Sequence, residues 1–305
     1  LVEDAGFPMF SAGRQASEIN ATITYDVDST GQVRPGLLDF HPYAYLAGPI
    51  GYTDTEVTIL NGVDLGLVDT FPPLLAQIGD EFVRVDSVVT DSNGIPVGLT
   101  IGRGVLDTVP AKHETESSLG IPIAILGDFY QLDRNSIVAG ETVVVYLLTN
   151  TGSGQLSPLD ADTQSITFNS RAIRPYPPGN LQIDSLSYPE SYVWNNNHTI
   201  SWAHRDRTAQ TDQNLYDYTT GDIGPESGTS YVVEVFAIIN DSTEDDSNTS
   251  EREAIKIYEN NVGSSTSDTI DLTSGPFDSN FDQPPDNTYA IRVEVRSVRD
   301  GYDSW

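Results

Sequence analysis

The triplet His204–Asp206 is the arrangement in this sequence that comes nearest to a catalytic motif. In protein kinases a His-Arg-Asp triplet opens the catalytic loop, and its Asp accepts the proton of the substrate hydroxyl. The kinase motif continues with a Leu and later an Asn that binds magnesium, whereas this sequence continues as "HRDRTAQTDQ". We therefore interpret the triplet as scaffolding. Charges just past Trp202 would form a salt-linked strand end or loop, with Arg205 or Arg207 packing over an aromatic ring.

None of the four histidines has the spacing of a metal site. Zinc sites use patterns such as H-E-x-x-H or the paired ligands of zinc fingers. We predict isolated surface or turn residues at all four positions: His41, His113, His198 and His204. Ser153 lies in "TGSGQ", without the strand-turn-helix pattern that activates a nucleophilic serine. The sequence therefore predicts no catalytic, cofactor-binding or metal-ligating residue, no cofactor, and a protein that is not an enzyme.

Carboxylates are abundant, but no pair or cluster is marked out by its spacing. Among 45 Asp and Glu residues, two can reach the separation of a glycosidase pair by chance, and that alternative stays open. The segment Asp26–Gly31 mimics the start of an EF-hand loop, but Leu37 occupies the twelfth position, where calcium requires a bidentate Glu. We predict a hairpin turn there. The run Asp241–Glu253 could bind cations, and we expect a solvated loop because like charges repel one another.

The tyrosines at predicted loop ends have two interpretations. Their rings could stack on sugars or contact a partner protein, and they could equally anchor loops to the folded core. We favour loop anchoring for these residues, which are Tyr43, Tyr45, Tyr52 and Tyr176.

The overall charge argues against nucleic acid and anionic lipid as partners. The formal net charge is −30, and long-range repulsion of polyphosphate follows from it. The chain contains no cysteine, which rules out disulfides and thiolate chemistry within it. No apolar run in the sequence approaches the length that crosses a bilayer.

The pattern of apolar residues predicts an all-β protein. Gly, Pro, Asn, Asp and Ser interrupt the sequence too often for an apolar stripe of helical period, whereas short alternating runs such as "EVTIL", "EFVRV" and "ETVVVYLL" recur. A chain of 305 residues also exceeds the usual size of a single-core domain. We predict small β modules followed by a β-sandwich: residues 1–38, a β segment continuing from an upstream domain; 39–120, a small β domain; 121–176, β extension or linker strands; and 177–305, the sandwich.

The last section has the clearest pattern. In "TISWAH", Ile200 and Trp202 share a face, so the Trp is predicted to fill the core. In "TYAIRVEVRSV", apolar residues from Tyr289 onward form one face, and charges of alternating sign form the other. Residues Pro177–Trp305 resemble a fibronectin type III domain, with "ISW" as its second strand and "TYAIRVEVRSVRDGYDSW" as its sixth strand and turn. The resemblance implies a seventh strand, which we expect to be missing or to lie downstream of the chain.

A wider resemblance covers residues 40–305. The ordered segments "IGDEFVRVDSV", "LTIGRGVLDTVPAKH", "AGETVVVYLL", "RAIRPYPPGNLQI" and "ISWAHRDR" resemble the C-terminal half of tail-tip or baseplate hub proteins of siphophages and gene transfer agents. The resemblance implies a structural virion component at the phage tail tip, forming a homotrimer with other tail proteins as partners and contributing to host attachment through a receptor or glycan. The alternative is a secreted carbohydrate-binding or adhesin protein with fibronectin-type modules.

Overall fold

The computed structural model contains two compact units. The first unit comprises Leu1–Val105, Val109–Arg174 and Leu215–Asp217, and the second comprises Leu106–Thr108, Pro175–Asn214 and Tyr218–Trp305. Every strand pairing between the named strands is antiparallel. The predicted all-β fold class is confirmed. The described residues are 9–10, 18–27, 36–38, 42–66, 68, 73–114, 120–126, 130–131, 139–189, 197–210, 214–239, 254–271 and 288–304.

Thirteen named strands lie in the first unit. They are β1 (Met9–Phe10), β2 (Glu18–Val27), β3 (Gly36–Leu38), β4 (Tyr43–Leu46), β5 (Glu56–Val63), β6 (Leu74–Ile78), β7 (Glu81–Thr90), β8 (Pro96–Gly102), β9 (Ile121–Leu126), β10 (Tyr130–Gln131), β11 (Thr142–Thr151), β12 (Gly154–Gln155) and β13 (Thr163–Thr167).

Six of these strands close into a barrel in the order β4-β5-β8-β7-β6-β9. Alternation along each strand turns one face inward; in β7, for example, Val83 and Val85 are fully buried while Arg84 between them is not. The inward side chains form one core: Ala44, Leu46, Ile50, Val57, Ile59, Leu65, Val68, Ala76, Ile78, Val83, Val85, Leu99, Ile101, Ile123 and Ile125.

The first run of the predicted β extension 121–176 continues the barrel. Ile121–Leu126 was placed with the extension 121–176, but as β9 it pairs with both β4 and β6 and closes the barrel. Its run "IPIAIL" has an ordinary strand pattern, which predicts a strand without indicating its neighbours. The sequence left open whether this run extends the preceding sheet or begins a second one, and its pairing with β4 and β6 shows that it extends the sheet.

A second sheet of the first unit contains β12-β11-β2-β3, with β13 also paired to β11. The predicted strand "ATITYDV" is confirmed within β2, which pairs with β11 from Val27↔Val143 to Glu18↔Thr151. The N-terminal segment therefore pairs with a later strand of this chain. Its continuation from an upstream domain stays a prediction, and the turn residues Asp28–Gly31 and the run Asp241–Glu253 lie outside the described residues.

Among the described residues of the second unit, seven strands form two sheets. One has the order β14-β15-β18 and the other β17-β16-β19-β20. This division into three and four strands gives a fibronectin type III-like sandwich, whose core contains Trp202 and Tyr231 beside aliphatic residues from both sheets. The strands are β14 (Gly179–Ile183), β15 (Asn197–Ala203), β16 (Ser230–Ile239), β17 (Ala254–Gly263), β18 (Ser267–Asp271), β19 (Thr288–Arg299) and β20 (Tyr302–Asp303).

The expectation of a missing seventh strand is also corrected. Tyr302–Asp303 pairs with Val298 and Arg299 of β19, so the last strand starts within the chain. The turn between them consists of Asp300 and Gly301, with φ values of 51° and 82°. An Asp-Gly pair with positive φ at both positions is the usual two-residue hairpin turn, and it fixes the register of β20.

Candidate functional site

A buried carboxylate at the start of β7, that of Glu81, is the centre of a polar cluster in the barrel unit. The Glu81 side chain is only about 1% exposed. Arg103 binds it through two parallel hydrogen bonds, from Nε to Oε1 and from Nη2 to Oε2, each 2.8 Å long. This two-point pairing of a guanidinium with a carboxylate is the strongest geometry available to an ion pair.

Three further donors reach the same carboxylate. The backbone N–H of Gly104 lies 2.9 Å from Oε1, and that of Ala111 lies 3.0 Å from Oε2. The His113 Nε2 lies 2.8 Å from Oε2. We call Glu81, Arg103 and His113, with the backbone N–H groups of Gly104 and Ala111, the Glu81 clamp. It fastens the loop that follows β8 to the start of β7.

The guanidinium of Arg103 connects the Glu81 clamp to a second loop. Its Nη1 donates to the carbonyl oxygens of Gly51 at 2.6 Å and Asp54 at 3.2 Å, while Nη2 donates to that of Ala111 at 2.6 Å. Gly104 has a positive φ of 55°, and a Cβ there would lie 2.6 Å from Pro110. Only glycine therefore fits at this point of the loop.

The hydrogen bonds keep Glu81 ionised. Burial on its own raises the pKa of this carboxyl, but the bonds from His113 and Arg103 and the charge of Arg103 outweigh burial, so the pKa lies below its ordinary value. Five donors occupy the two carboxylate oxygens, about as many as their lone pairs can accept. The arrangement holds loops in place and leaves this carboxylate no free lone pair for a substrate proton.

Acid should weaken the first unit through this group. Because the pKa of Glu81 is lowered on folding, its contribution to stability is complete above about pH 4.5 and is lost as the pH falls through the lowered value. In urea unfolding of the full chain, the first-unit transition should therefore lose stability between about pH 7 and about pH 3. The Glu81→Gln variant has no carboxyl group to ionise at this position, so its first unit should lose less stability over the same pH range. Equal losses of stability in the variant and the unaltered chain would contradict this role of Glu81.

The triplet His204–Asp206 has structural partners in the second unit. The backbone N–H of His204 donates to Asp222 Oδ1 at 2.7 Å, and its ring Nδ1 lies 2.7 Å from the hydroxyl of Tyr231. The two rings also stack, with centroids 5.5 Å apart. Tyr231 is fully buried, and its ring centroid lies 5.6 Å from that of Trp202. Because the His204 ring stacks on Tyr231, it extends this aromatic core.

Both arginines of this segment are held within the sandwich unit. The guanidinium of Arg205 lies 5.5 Å from the centre of the Tyr176 ring, which confirms the predicted packing of an arginine over an aromatic side chain. Arg207 binds Glu226 through Nε and Nη2 at 3.2 and 2.7 Å, and Arg299 contacts the same carboxylate. The segment therefore connects neighbouring loops through charge pairs.

The prediction of isolated histidines is wrong for the three that the structure describes. His113 belongs to the Glu81 clamp, His204 bonds Tyr231, and the buried His198 has its Nδ1 2.9 Å from Asp184 Oδ2. Their partners are distant in sequence, and spacing therefore could not reveal them. His41 lies outside the described residues.

The remaining candidates have ordinary surroundings. Ser153 lies in an exposed turn with its Oγ 2.9 Å from Thr151 Oγ1. Within the described ranges, no three His, Cys, Asp or Glu side chains are grouped so that they could hold a metal ion. Tyr43 and Tyr45 lie within strand β4 and not at loop ends, and their rings meet edge-to-face with centroids 6.0 Å apart. The contact of Lys112 with Tyr52, whose ring centre lies 5.5 Å from the Lys Nζ, agrees with loop anchoring.

Comparisons of this chain with protein families, curated proteins and solved structures find little similarity. No family model matches the chain, and no curated protein matches it. Among solved structures, domains A168–A170 of titin align over 93% of this chain and 71% of that one, with 12% identity and a TM-score of 0.21. The fold assignment accordingly rests on the strand pairings described above. In the part of the chain that the structure describes, no helix is long and apolar enough to cross a membrane.

Proposed function

We propose that this protein is a structural component of a bacteriophage tail tip or baseplate hub, in which its β modules take part in assembly and host-cell attachment. In this proposal it acts as a homotrimer among other tail proteins and carries out no reaction. The proposal starts from the ordered sequence segments that resemble those of hub proteins. Its structural support is that residues from separate segments of this set contact one another in the folded chain.

The Glu81 clamp carries the proposal. The segment "IGDE" supplies Glu81, "GRG" supplies Arg103 and Gly104, and "PAKH" supplies Ala111 and His113. The polar residues of the resemblance are therefore bonded to one another inside the barrel unit. A motif whose polar residues bond one another in this way fits a scaffold better than a reactive site.

The two distinctive segments of the resemblance also contain residues that contact each other. "RPYPPGN" contains Tyr176 and "SWAHRDR" contains Arg205, and these two side chains stack in the sandwich unit. The strongly negative charge adds support, since a protein at net charge −30 stays hydrated and soluble outside a cell. Domains of roughly 100 residues or more bury enough apolar surface to be stable without disulfides.

Particle composition tests the proposal. Phage or transfer particles from the bacterium that carries the gene should be purified on a density gradient and their proteins identified by mass spectrometry. We expect the protein in the particle band, in a constant ratio to other tail subunits and at three copies per tail. Its recovery as a free monomer in the culture fluid, retained on a glycan column and absent from particles, would instead establish the secreted adhesin.

A further inference from the structure

Strand β13 lies at the edge of the five-stranded sheet of the first unit. It pairs with β11 without a bulge, from Thr142↔Thr167 to Tyr146↔Thr163. Among the described residues, no strand pairs with its other side. All five of its residues are exposed.

The hydrogen bonds to β11 determine which backbone groups point away from the sheet. Leu147 N donates to Asp162 O, and Phe168 N donates to Glu141 O. Antiparallel pairs alternate between bonded and non-bonded, so the even-numbered residues 162–168 direct their N–H and C=O groups toward β11. Thr163, Ser165 and Thr167 therefore direct theirs outward, as a row of unpaired donors and acceptors.

The features that protect other edges are missing from β13. The edge strand β17 has Lys256 and Glu259, and β18 has Asp268 and Asp271. Strand β14 follows two prolines and pairs irregularly with β15. Charge, proline and bulges are the usual means by which proteins block edge pairing. The sequence "TQSIT" contains no charge and no proline, and its pairing is regular.

We propose that the outer edge of β13 pairs with β13 of a second copy of this chain, antiparallel and about a two-fold axis at Ser165. In that register Ser165 lies opposite Ser165, and Thr163 lies opposite Thr167. Each of these opposed pairs exchanges two backbone hydrogen bonds, six in all. Thr–Thr neighbours across strands are also among the favourable pairs.

Charge identifies a second copy as the occupant. Residues 142–159 and 163–170 contain no charged side chain, whereas Asp and Glu greatly outnumber Lys and Arg in the whole chain. Two copies of so negative a protein can approach most closely where neither has a charge. In the proposed register the two Asp162 side chains lie six residue positions, or about 20 Å, apart. The nearest like charges are Glu141, which is paired with Phe168, and Asp162 of the second copy, two strand spacings or about 10 Å apart and close to the screening length at physiological salt.

The pairing is expected to be weak and to strengthen with salt. Five residues per copy bury much less than the roughly 800 Å² per partner of a stable interface. Salt screens the repulsion between the two negative copies and leaves the backbone bonds intact. The proposal does not depend on the tail-tip function, and its two-fold axis is distinguishable from the three-fold hub by stoichiometry.

Sedimentation equilibrium of the full chain tests the pairing with matched variants at Ser165. The backbone N–H of Ser165 points outward, so Ser165→Pro removes an intermolecular bond without removing a bond to β11. We expect the unaltered chain and Ser165→Thr to show a monomer–dimer equilibrium that strengthens from about 0.05 M to about 1 M NaCl. Ser165→Pro should weaken it at least about tenfold.

A second variant tests the pairing independently of whether the proline variant folds. Ser165→Lys places two positive charges opposite each other at the axis, and like charges directly opposite are destabilising. Its dimer should be weaker than that of Ser165→Thr, with the greatest difference at low salt. A chain that stays monomeric at all salt concentrations, or a dimer unaffected by both Ser165→Pro and Ser165→Lys, would overturn the proposal.

Discussion

The Arg103→Ala variant should lose about 3–5 kcal/mol of the free energy of unfolding of the first unit. Removing the guanidinium leaves the Glu81 carboxylate buried without its charge partner, and desolvation of an unpaired charge is the costly part. The same change leaves the carbonyl groups of Gly51, Asp54 and Ala111 without their donor. Both effects loosen the attachment of the loops that contain Gly51, Asp54 and Ala111 to the start of β7.

Hydrogen exchange of the full chain can measure this effect for the first unit. Protection of the barrel amides should fall in Arg103→Ala, while the amides of the sandwich core keep the protection they have in the unaltered chain. Lys112→Ala is the matched control, since Lys112 lies in the same loop but is exposed, and its contact with Tyr52 is worth about 1 kcal/mol at most. Equal losses of amide protection in the two variants would contradict the stabilising role of the Glu81 clamp.

The Trp202→Ala variant should cost about 3–5 kcal/mol, confined to the second unit. Trp202 is about 5% exposed and packs beside Tyr231 between the two sheets, so alanine would leave a large cavity in a core that cannot fully collapse. The ring contact with Tyr231 would be lost as well. The sandwich should therefore unfold at a lower urea concentration than in the unaltered chain.

Leu186→Ala provides the control for this cavity. Leu186 lies in the same unit but is about 51% exposed, and its truncation should change stability by about 0.5 kcal/mol or less. Urea unfolding followed by tryptophan fluorescence reports the second unit, because all three tryptophans lie in its span of the chain. A Trp202→Ala chain that unfolds at the same urea concentration as Leu186→Ala would contradict the inward position of Trp202.

The sequence predicts the strands well because alternation is a local property. Val83 and Val85 of β7, and Trp202 with Ile200 of β15, face the cores that their spacing indicated. The neighbours of the closing strand β9 could not be chosen from the sequence, because β4 and β6 lie far from it along the chain. The seventh strand was missed because only two residues of it, Tyr302–Asp303, follow the turn.

The Glu81 clamp could not be predicted from the sequence. Glu81 precedes an ordinary alternating strand, Arg103 lies between two glycines, and His113 has no neighbouring ligand. Only the fold brings polar atoms of Arg103 and His113 to 2.8 Å from the Glu81 carboxylate.

Electron cryomicroscopy of intact particles tests the central claim most directly. If the chain is a tail-tip component, the distal tail density should contain, three times around the tail axis, a six-stranded barrel and a sandwich of three and four strands. Both should fit without rearrangement of the Glu81 clamp. A distal tail map that is fully accounted for by other chains, with neither unit present, would contradict the proposed function.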